Sequence, residues 1–231
     1  DYVVRGHGEV AFKALLDALA ANETPENIAQ IQGVACRDPK TSKPQSNGLP
    51  AIPEPRHLPH FPYPRVEMER YMRSTFLGKR TVGHHSSYGC PFFCNFCAVV
   101  NMVNGKWLPD DGRRVGDVVR TLVTEYGADA VEFYDNNFFT SERRTRAFAE
   151  SITDLNVAWW GEGRIDTLLK YKDETWQLMA DTGLRMIFMG AESGDDETLE
   201  RMNKGGKLSA MHTLEIAEKM RRYGIVPEMS F

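Results

Sequence analysis

Three cysteines lie within eight residues of the chain, and their spacing is the strongest chemical signal in the sequence. They are Cys90, Cys94 and Cys97, in the stretch SSYGCPFFCNFCAVV, and no fourth cysteine lies nearby. Thiolates are ligands of zinc and iron–sulfur centres, and a site that only stabilises a fold usually recruits four ligands. Three protein ligands leave an open coordination position, which catalysis needs and a structural site avoids. The spacing therefore indicates a metal centre that binds something further.

The stretch around the cysteines carries no formal charge. Residues 81–105 contain no Asp, Glu, Lys or Arg, but polar residues, Gly and Pro break the window, so it holds no run of about 18 apolar residues. The chain has 231 residues, a net charge of −4 and no block of Lys or Arg. We therefore expect no membrane span and no nucleic-acid partner. Because the cysteines form no disulfide framework, we expect a reducing, cytoplasmic location.

The elements that must position the cysteines alternate along the second part of the chain. From residue 81, short apolar runs alternate with helical patterns, and three helical segments end at a glycine that precedes an apolar run, at Gly127, Gly183 and Gly224. This alternation predicts βα units and a parallel sheet, either doubly wound or part of a barrel. In both folds ligands lie at the carboxyl ends of the strands. The expected strands are at residues 81–87, 130–134, 157–160, 184–189 and 225–231.

Two other zones precede this region. Residues 1–38 contain an apolar run, a Gly6-His-Gly turn and an amphipathic helical pattern, which predict a strand, a tight turn and a helix. Residues 39–64 hold eight of the twelve prolines, and we assign residues 39–80 to an extended, non-helical linker. Residues 81–231 form the third zone. Because the first apolar run begins at the start of the chain, the chain looks like a piece cut from a longer protein.

Two kinds of metal fit three cysteines. A structural zinc ion would take a histidine as its fourth ligand, and His84 or His85 lies close enough in sequence. The usual zinc pattern is two ligand pairs separated by a longer spacer, which this sequence lacks. A four-iron, four-sulfur cluster held by three cysteines would instead leave one iron open. We favour the cluster.

The pattern C-x3-C-x2-C, with Phe96 before the last cysteine and a predicted strand before the first, resembles the signature of the radical S-adenosylmethionine (SAM) enzymes. The resemblance covers residues 81–231 and implies the first five βα units of a partial six-stranded (β/α)6 barrel, truncated before its last strand. It implies that the open iron chelates the methionine moiety of SAM. Reductive cleavage of the sulfonium would then give methionine and a 5′-deoxyadenosyl radical.

Motifs at the later strand ends strengthen the resemblance. The segments are Phe133-Tyr-Asp-Asn-Asn137, Trp160-Gly-Glu-Gly-Arg-Ile-Asp166, Met189-Gly-Ala-Glu-Ser-Gly194 and Met202-Asn-Lys-Gly205. The resemblance implies that Asp135, Asn136 and Asn137 bind the amino group and methionine moiety of SAM, and that Arg164 pairs with a carboxylate. It also implies that Glu192 and Ser193 reach the ribose, with Gly190 allowing close backbone approach. Phe96 would pack near the adenine.

The first zone is similar to the end of a cobalamin-binding domain that precedes the radical SAM barrel in one subgroup. The likeness rests on Asp1-Tyr-Val-Val-Arg-Gly-His-Gly-Glu9, the helix after it and Ile31-Gln-Gly-Val34. The subgroup usually has Glu where His7 stands. The D-x-H-x-x-G motif that supplies a lower cobalt ligand is absent from these residues, so cobalamin is an expectation for the full-length protein only.

The sequence thus predicts a radical SAM enzyme that starts radical chemistry on an unknown small molecule, as a cobalamin-dependent methyltransferase or a ring cyclase. A small reductant such as flavodoxin or ferredoxin would supply the electron. Methylthiolation would need three more cysteines, and only Cys36 remains. Two alternatives stay open, a non-enzymatic iron–sulfur electron-transfer module and a zinc-stabilised Cys3His binding protein. No residue is assigned as a catalytic acid or base.

Overall fold

The described part of the chain, residues 2–38, 40–204 and 208–231 of the computed structural model, contains ten β-strands and nine α-helices. The strands are β1 (Tyr2–Val4), β2 (Val34–Arg37), β3 (Pro44–Ser46), β4 (Thr81–His84), β5 (Ser87–Gly89), β6 (Trp107–Pro109), β7 (Ala130–Phe133), β8 (Ala158–Gly163), β9 (Leu184–Gly190) and β10 (Val226–Ser230). The helices are α1 (Gly8–Ala20), α2 (Pro25–Ile28), α3 (Val99–Val103), α4 (Gly112–Tyr126), α5 (Glu142–Ser151), α6 (Ile165–Leu168), α7 (Asp173–Asp181), α8 (Asp196–Arg201) and α9 (Ala210–Arg222). Asp1, Pro39 and Gly205, which belong to the motifs and boundaries above, lie outside the described residues.

The chain divides into two units, Asp1–Leu58 and Pro59–Phe231. In the first, β1, β2 and β3 form an antiparallel sheet in that order, and Leu15, Ile28 and Val34 make a small core. The strand β3 lies inside the segment predicted as linker, and three short 3₁₀ turns interrupt that segment at Pro55–His57, Tyr63–Arg65 and Met68–Arg70. The linker prediction missed β3 because its sequence, PQS, has no strand pattern and owes its extended form to pairing with β2.

The second unit is built on a five-stranded parallel sheet whose order follows the chain: β4, β7, β8, β9, β10. Helices connect these strands. A doubly wound sheet reverses its strand order at a switch point, and this sheet has no reversal in the part that the structure describes. The sequential order confirms the predicted partial barrel.

Alternate residues of the strands point to opposite faces of the sheet, and one face carries the helices. On that face Val131, Phe133, Trp159, Ile187 and Met189 belong to one buried apolar cluster. The rings of Phe133, Phe138 and Phe148 pack edge to face or tilted against Trp159. Aromatic rings in these arrangements combine large apolar burial with favourable ring contacts. The helix face therefore supplies the main core and leaves the opposite face free to carry polar groups.

The glycines predicted to end helices do so. Gly127 closes α4 with a φ of +68°, and Gly183 and Gly224 adopt φ values of +97° and +68° directly before β9 and shortly before β10. Left-handed φ favours glycine, which has no Cβ to clash with the preceding carbonyl. At the other end of α4, the Asp111 carboxylate accepts a hydrogen bond from the Arg113 N–H at 2.9 Å, capping the helix. No described helix is long and apolar enough to cross a membrane.

Candidate metal centre and cofactor site

The cysteines lie on an excursion of the chain at the carboxyl end of β4. The strands β5 and β6 pair as an antiparallel ribbon, and the residues between them include the cysteine loop, defined here as residues 90–98. Gly89, the residue before the loop, has a φ of +79°. A side chain at this position would strike the Lys106 carbonyl and Val103. Within the loop, the Cys97 N–H donates to the Cys94 carbonyl at 3.2 Å. The ribbon thus brackets the cysteine loop together with α3, which follows the loop.

All three thiols are free, Cys94 buried and Cys90 and Cys97 half-buried. Burial raises the pKa of the Cys90 thiol, against smaller lowering effects of the Phe92 N–H and the Asn137 amide. Across residues 2–38, 40–204 and 208–231, no three metal-ligating side chains converge on one point. The donor set nevertheless fits a [4Fe–4S] cluster, because three uncommitted thiols share one short loop without charged residues.

Arg164 lies directly against the cysteine loop. Its guanidinium donates to the Cys94 Sγ at 3.3 Å and to the Asp166 Oδ1 at 3.0 Å, and it also bonds the Lys204 carbonyl. The Cζ atom lies 4.0 Å from the centre of the Phe92 ring, a favourable cation–π geometry. The family resemblance implied that Arg164 contacts SAM by pairing with a carboxylate. In the structure it holds Cys94 in place, so contact with SAM stays a prediction.

Asp135, two residues after β7, is fully buried. Its carboxylate accepts from the Ser86 N–H and hydroxyl, both at 2.6 Å, and from the Ser87 hydroxyl at 2.7 Å. The Arg144 guanidinium of α5 lies 4.0 Å away and donates to the Ser86 hydroxyl at 2.6 Å. This network ties the start of β5 to the segment after β7 and to α5. Whether Asp135 also accepts from the amino group of SAM stays a prediction.

The two asparagines after Asp135 differ sharply in environment. Asn136 is exposed, whereas Asn137 is completely buried. Neither polar atom of the Asn137 amide has a hydrogen-bond partner among the described residues, although the amide lies close enough to Cys90 to favour its thiolate. A buried amide without partners costs free energy, and such groups usually face a ligand or a water molecule. Asn137 is therefore the strongest structural pointer to a ligand beside the cysteine loop.

Gly190 ends β9, and Glu192 and Ser193 lie in the tight turn that follows it. The Ala191 and Glu192 N–H groups both donate to the Ser230 carbonyl, at 3.0 and 2.9 Å, and Glu192 adopts a left-handed φ of +67°. The Glu192 carboxylate pairs with Lys204 Nζ at 2.6 Å, and the same ammonium bonds the Gly190 carbonyl. A Cβ at Gly190 would collide with both charged groups. Burial lowers the pKa of Lys204, and Glu192 opposes that shift.

Phe96, predicted beside adenine, is half exposed at 50 %, and Phe93 of the same loop is 60 % exposed. No described contact assigns Phe96 a partner ring. Its role at the adenine therefore stays a prediction.

The face of the sheet opposite the helices carries a row of carboxylates and aromatic rings. Strand register places Glu162 of β8 and Glu228 of β10 on either side of Phe188 of β9. Burial, and secondarily the charge of Asp135, raises the pKa of Glu162. Trp160, two residues earlier on the same face, has a buried indole N–H without a partner among the described residues. Glu162 and Phe188 of this face precede Arg164 and Gly190, two predicted SAM contacts, by two residues each.

Sequence reasoning missed the roles of four residues that organise the site. Arg144 lies inside an ordinary helical pattern, and Ser86 and Ser87 are common loop residues, so nothing local marks them. Lys204 stands in a motif that was recognised, but its pairing with Glu192 depends on how the segment after α8 folds back. The only available signal was the resemblance of Met202-Asn-Lys to the end of a family motif.

The structure is a partial parallel barrel with three free cysteines in the segment that follows its first strand, at the carboxyl edge of the sheet. The model of the Radical SAM superfamily matches residues 85–231, more than half of the chain. The chain therefore belongs to the radical SAM superfamily, as its cysteine spacing predicted.

Two curated relatives and one solved structure resemble the chain over most of its length. An uncharacterized methyltransferase of Pyrococcus horikoshii is 25% identical over 227 residues, covering 97% of this chain and 47% of the relative. The anaerobic magnesium-protoporphyrin IX monomethyl ester cyclase of Synechocystis is 24% identical over 215 residues, covering 90% and 40%. One solved structure is that of the radical SAM methyltransferase TsrM from Kitasatospora setae, with cobalamin and a [4Fe–4S] cluster bound. It matches with a TM-score of 0.71 and 18% sequence identity, and the match covers 99% of this chain and 45% of that chain. The chain thus spans less than half the length of these relatives.

Proposed function

We propose that the protein is a radical SAM enzyme whose Cys90, Cys94 and Cys97 hold a [4Fe–4S] cluster. The observation that carries this proposal is a loop with three free thiols at the carboxyl edge of a parallel sheet in a chain of this superfamily. When bound, such a cluster supplies the electron that cleaves SAM into methionine and a 5′-deoxyadenosyl radical. The protein's own task is to bind and orient SAM and to exclude water.

The residues around the loop suit the parts of SAM in different ways. Asn137 offers a buried amide that has no hydrogen-bond partner in the part of the chain that the structure describes, and this amide can bond the amino or carboxylate group of the methionine moiety. Glu192 and Ser193 follow β9, where a carboxylate and a hydroxyl can accept from or donate to ribose hydroxyls. Arg164 holds Cys94 and lies near enough to the loop to pair with a carboxylate.

We further propose that the reaction is methyl transfer, with ring cyclisation as the second candidate. Methyltransferases occur among the relatives and solved structures, and one relative is named a cyclase. Cobalamin is part of this proposal for the full-length protein, because the TsrM structure holds it and resembles this chain over 99% of its residues. No residue of this chain is assigned to cobalamin, and the substrate stays unknown.

The substrate would lie against the face of the sheet opposite the helices. There Glu162, Phe188 and Glu228 stand side by side, below the predicted SAM contacts. A reductant such as flavodoxin or ferredoxin, a cytoplasmic location and the absence of a nucleic-acid partner belong to the same proposal.

The proposal is tested on the anaerobically purified protein by measuring iron, acid-labile sulfide and 5′-deoxyadenosine released from SAM. We expect about four iron and four sulfide per chain, and no 5′-deoxyadenosine after Cys90→Ala, Cys94→Ala or Cys97→Ala. Cys36→Ala is the matched control and should keep the cluster and the cleavage. Zinc without iron would support the binding-protein alternative, and a cluster that never cleaves SAM would support the electron-transfer module.

A further inference from the structure

We propose that Asn95 and Asn203 form a latch that holds the cysteine loop in the position from which its thiols bind the cluster. Both are positioning residues that act through the loop backbone. The inference rests on the proposed function, because that function assigns the cluster to the loop. The contacts that define the latch do not depend on it.

The latch consists of three hydrogen bonds between the cysteine loop and the segment that follows α8. The Asn95 backbone N–H donates to the Met202 carbonyl at 3.1 Å, and its side-chain amide donates to the Arg201 carbonyl at 3.1 Å. In the opposite direction, the Asn203 side-chain amide donates to the Phe93 carbonyl at 3.2 Å. These contacts join positions more than 100 residues apart in the chain.

The chemistry of a helix end explains why asparagine suits both positions. The last carbonyls of a helix have no partner inside the helix, and Arg201 and Met202 occupy the end of α8. Asn95 supplies the missing donors from outside. Asn203 adopts a left-handed φ of +44°, a conformation that asparagine tolerates better than most residues other than glycine. Its amide is thereby directed to the loop without a local strain that a bulkier residue would suffer.

The same segment contacts both halves of the candidate site. The Lys204 carbonyl accepts from Arg164, which also bonds the Cys94 Sγ, while the Lys204 ammonium pairs with Glu192. Residues 201–204 therefore connect the loop that carries the cluster ligands to the turn predicted to bind ribose. Metal and cofactor sites need ligands that a supporting shell of hydrogen bonds holds in position. The latch provides that shell for a loop whose Phe93 and Phe96 are exposed.

The test is amide hydrogen exchange on the full chain before cluster assembly, followed by iron retention after reconstitution and gel filtration. The variants are Asn95→Ala, Asn203→Gly, which keeps the left-handed backbone accessible, and the double variant. Asn101→Ala, an exposed asparagine of α3, is the matched control. We expect exchange at residues 94–97 to accelerate about threefold in each single variant and about tenfold in the double variant, as modest single hydrogen bonds predict. Iron retention should fall in the same order.

Slow exchange at Ala130–Phe133 in every variant shows that the sheet remains folded. Unchanged exchange at residues 94–97 in both single variants would overturn the latch. Accelerated exchange with full iron retention would overturn its role in cluster binding. A wild-type cluster that does not respond to SAM would contradict the proposed function instead. The exchange result does not depend on that outcome, because exchange is measured before the cluster is assembled.

Discussion

Two regions border the cysteine loop, and they are built on opposite plans. One is a scaffold formed by Ser86, Ser87, Asp135 and Arg144, in which a buried carboxylate receives three hydrogen bonds and faces a buried cation. The other is a rim formed by Asn137, Glu192 and Lys204, with a buried amide that has no hydrogen-bond partner among the described residues and a glutamate of left-handed φ. A satisfied network gives rigidity, whereas unsatisfied groups and backbone strain concentrate where ligands bind. The difference indicates that the scaffold stabilises the fold and the rim binds the cofactor.

The largest effect is expected when the scaffold loses its cation. Arg144→Met leaves the Asp135 charge buried without its cationic neighbour and removes donors to the Ser86, Asp110 and Phe138 carbonyls. Breaking a buried charge pair on one side costs about 3–5 kcal/mol. Urea unfolding should show a loss of this size, whereas the exposed neighbour Arg143→Met should change stability by less than about 0.5 kcal/mol. Equal losses in both variants would contradict the stabilising role of the Arg144 cation in the scaffold.

A pH-dependent loss of stability is expected at the edge of the scaffold. The His84 Nδ1 lies 2.9 Å from the Tyr63 hydroxyl, and burial lowers the pKa of His84 to about 4. The unfolded chain binds the proton at about pH 6.5, so stability is full above that pH and falls as the pH drops towards 4, by at most on the order of 3 kcal/mol.

Unfolding curves at pH 7, 6, 5 and 4.5 measure this loss. His84→Gln should flatten the dependence between pH 6.5 and 4, and His85→Gln, at the adjacent exposed position, should retain it. A wild-type profile that matches His84→Gln would contradict the burial of this imidazole as the cause.

The smallest effect on stability, and a clear effect on binding, is expected at the rim. Asn137→Leu replaces a buried amide that has no described partner by an apolar group of similar size, so stability should stay within about 1 kcal/mol of wild type or rise. SAM affinity should fall about tenfold, the cost of one hydrogen bond to a charged group. Isothermal titration with SAM on the reconstituted protein measures it. Strong destabilisation with unchanged SAM affinity would place Asn137 in the scaffold.

The sheet could be read from the sequence because its signals are local. Each helix that ends at Gly127, Gly183 or Gly224 is followed by an apolar strand, and the strands lie within a few residues of the predicted ranges. The strand β3 escaped prediction, since its short polar sequence becomes extended only by pairing with β2.

The candidate site could be predicted only in part, for a related physical reason. Residues directly after strands follow from topology, because parallel strands end at one edge. Arg144 and Lys204 reach the site from a helix and from the segment after one, through packing that no periodicity records. The partners of Asp135 and Arg164 likewise come from distant positions, so sequence motifs gave the residues but not what they contact.

A cluster held by three thiols, with one iron open to SAM, should change its electronic signal when SAM binds. Electron paramagnetic resonance of the anaerobically reconstituted, dithionite-reduced full-length protein, recorded with and without SAM, measures this change. We predict a cluster signal whose shape changes when SAM is added and that is lost in Cys94→Ala. A reduced cluster signal that SAM leaves unchanged would contradict the claim and point to a fourth protein ligand.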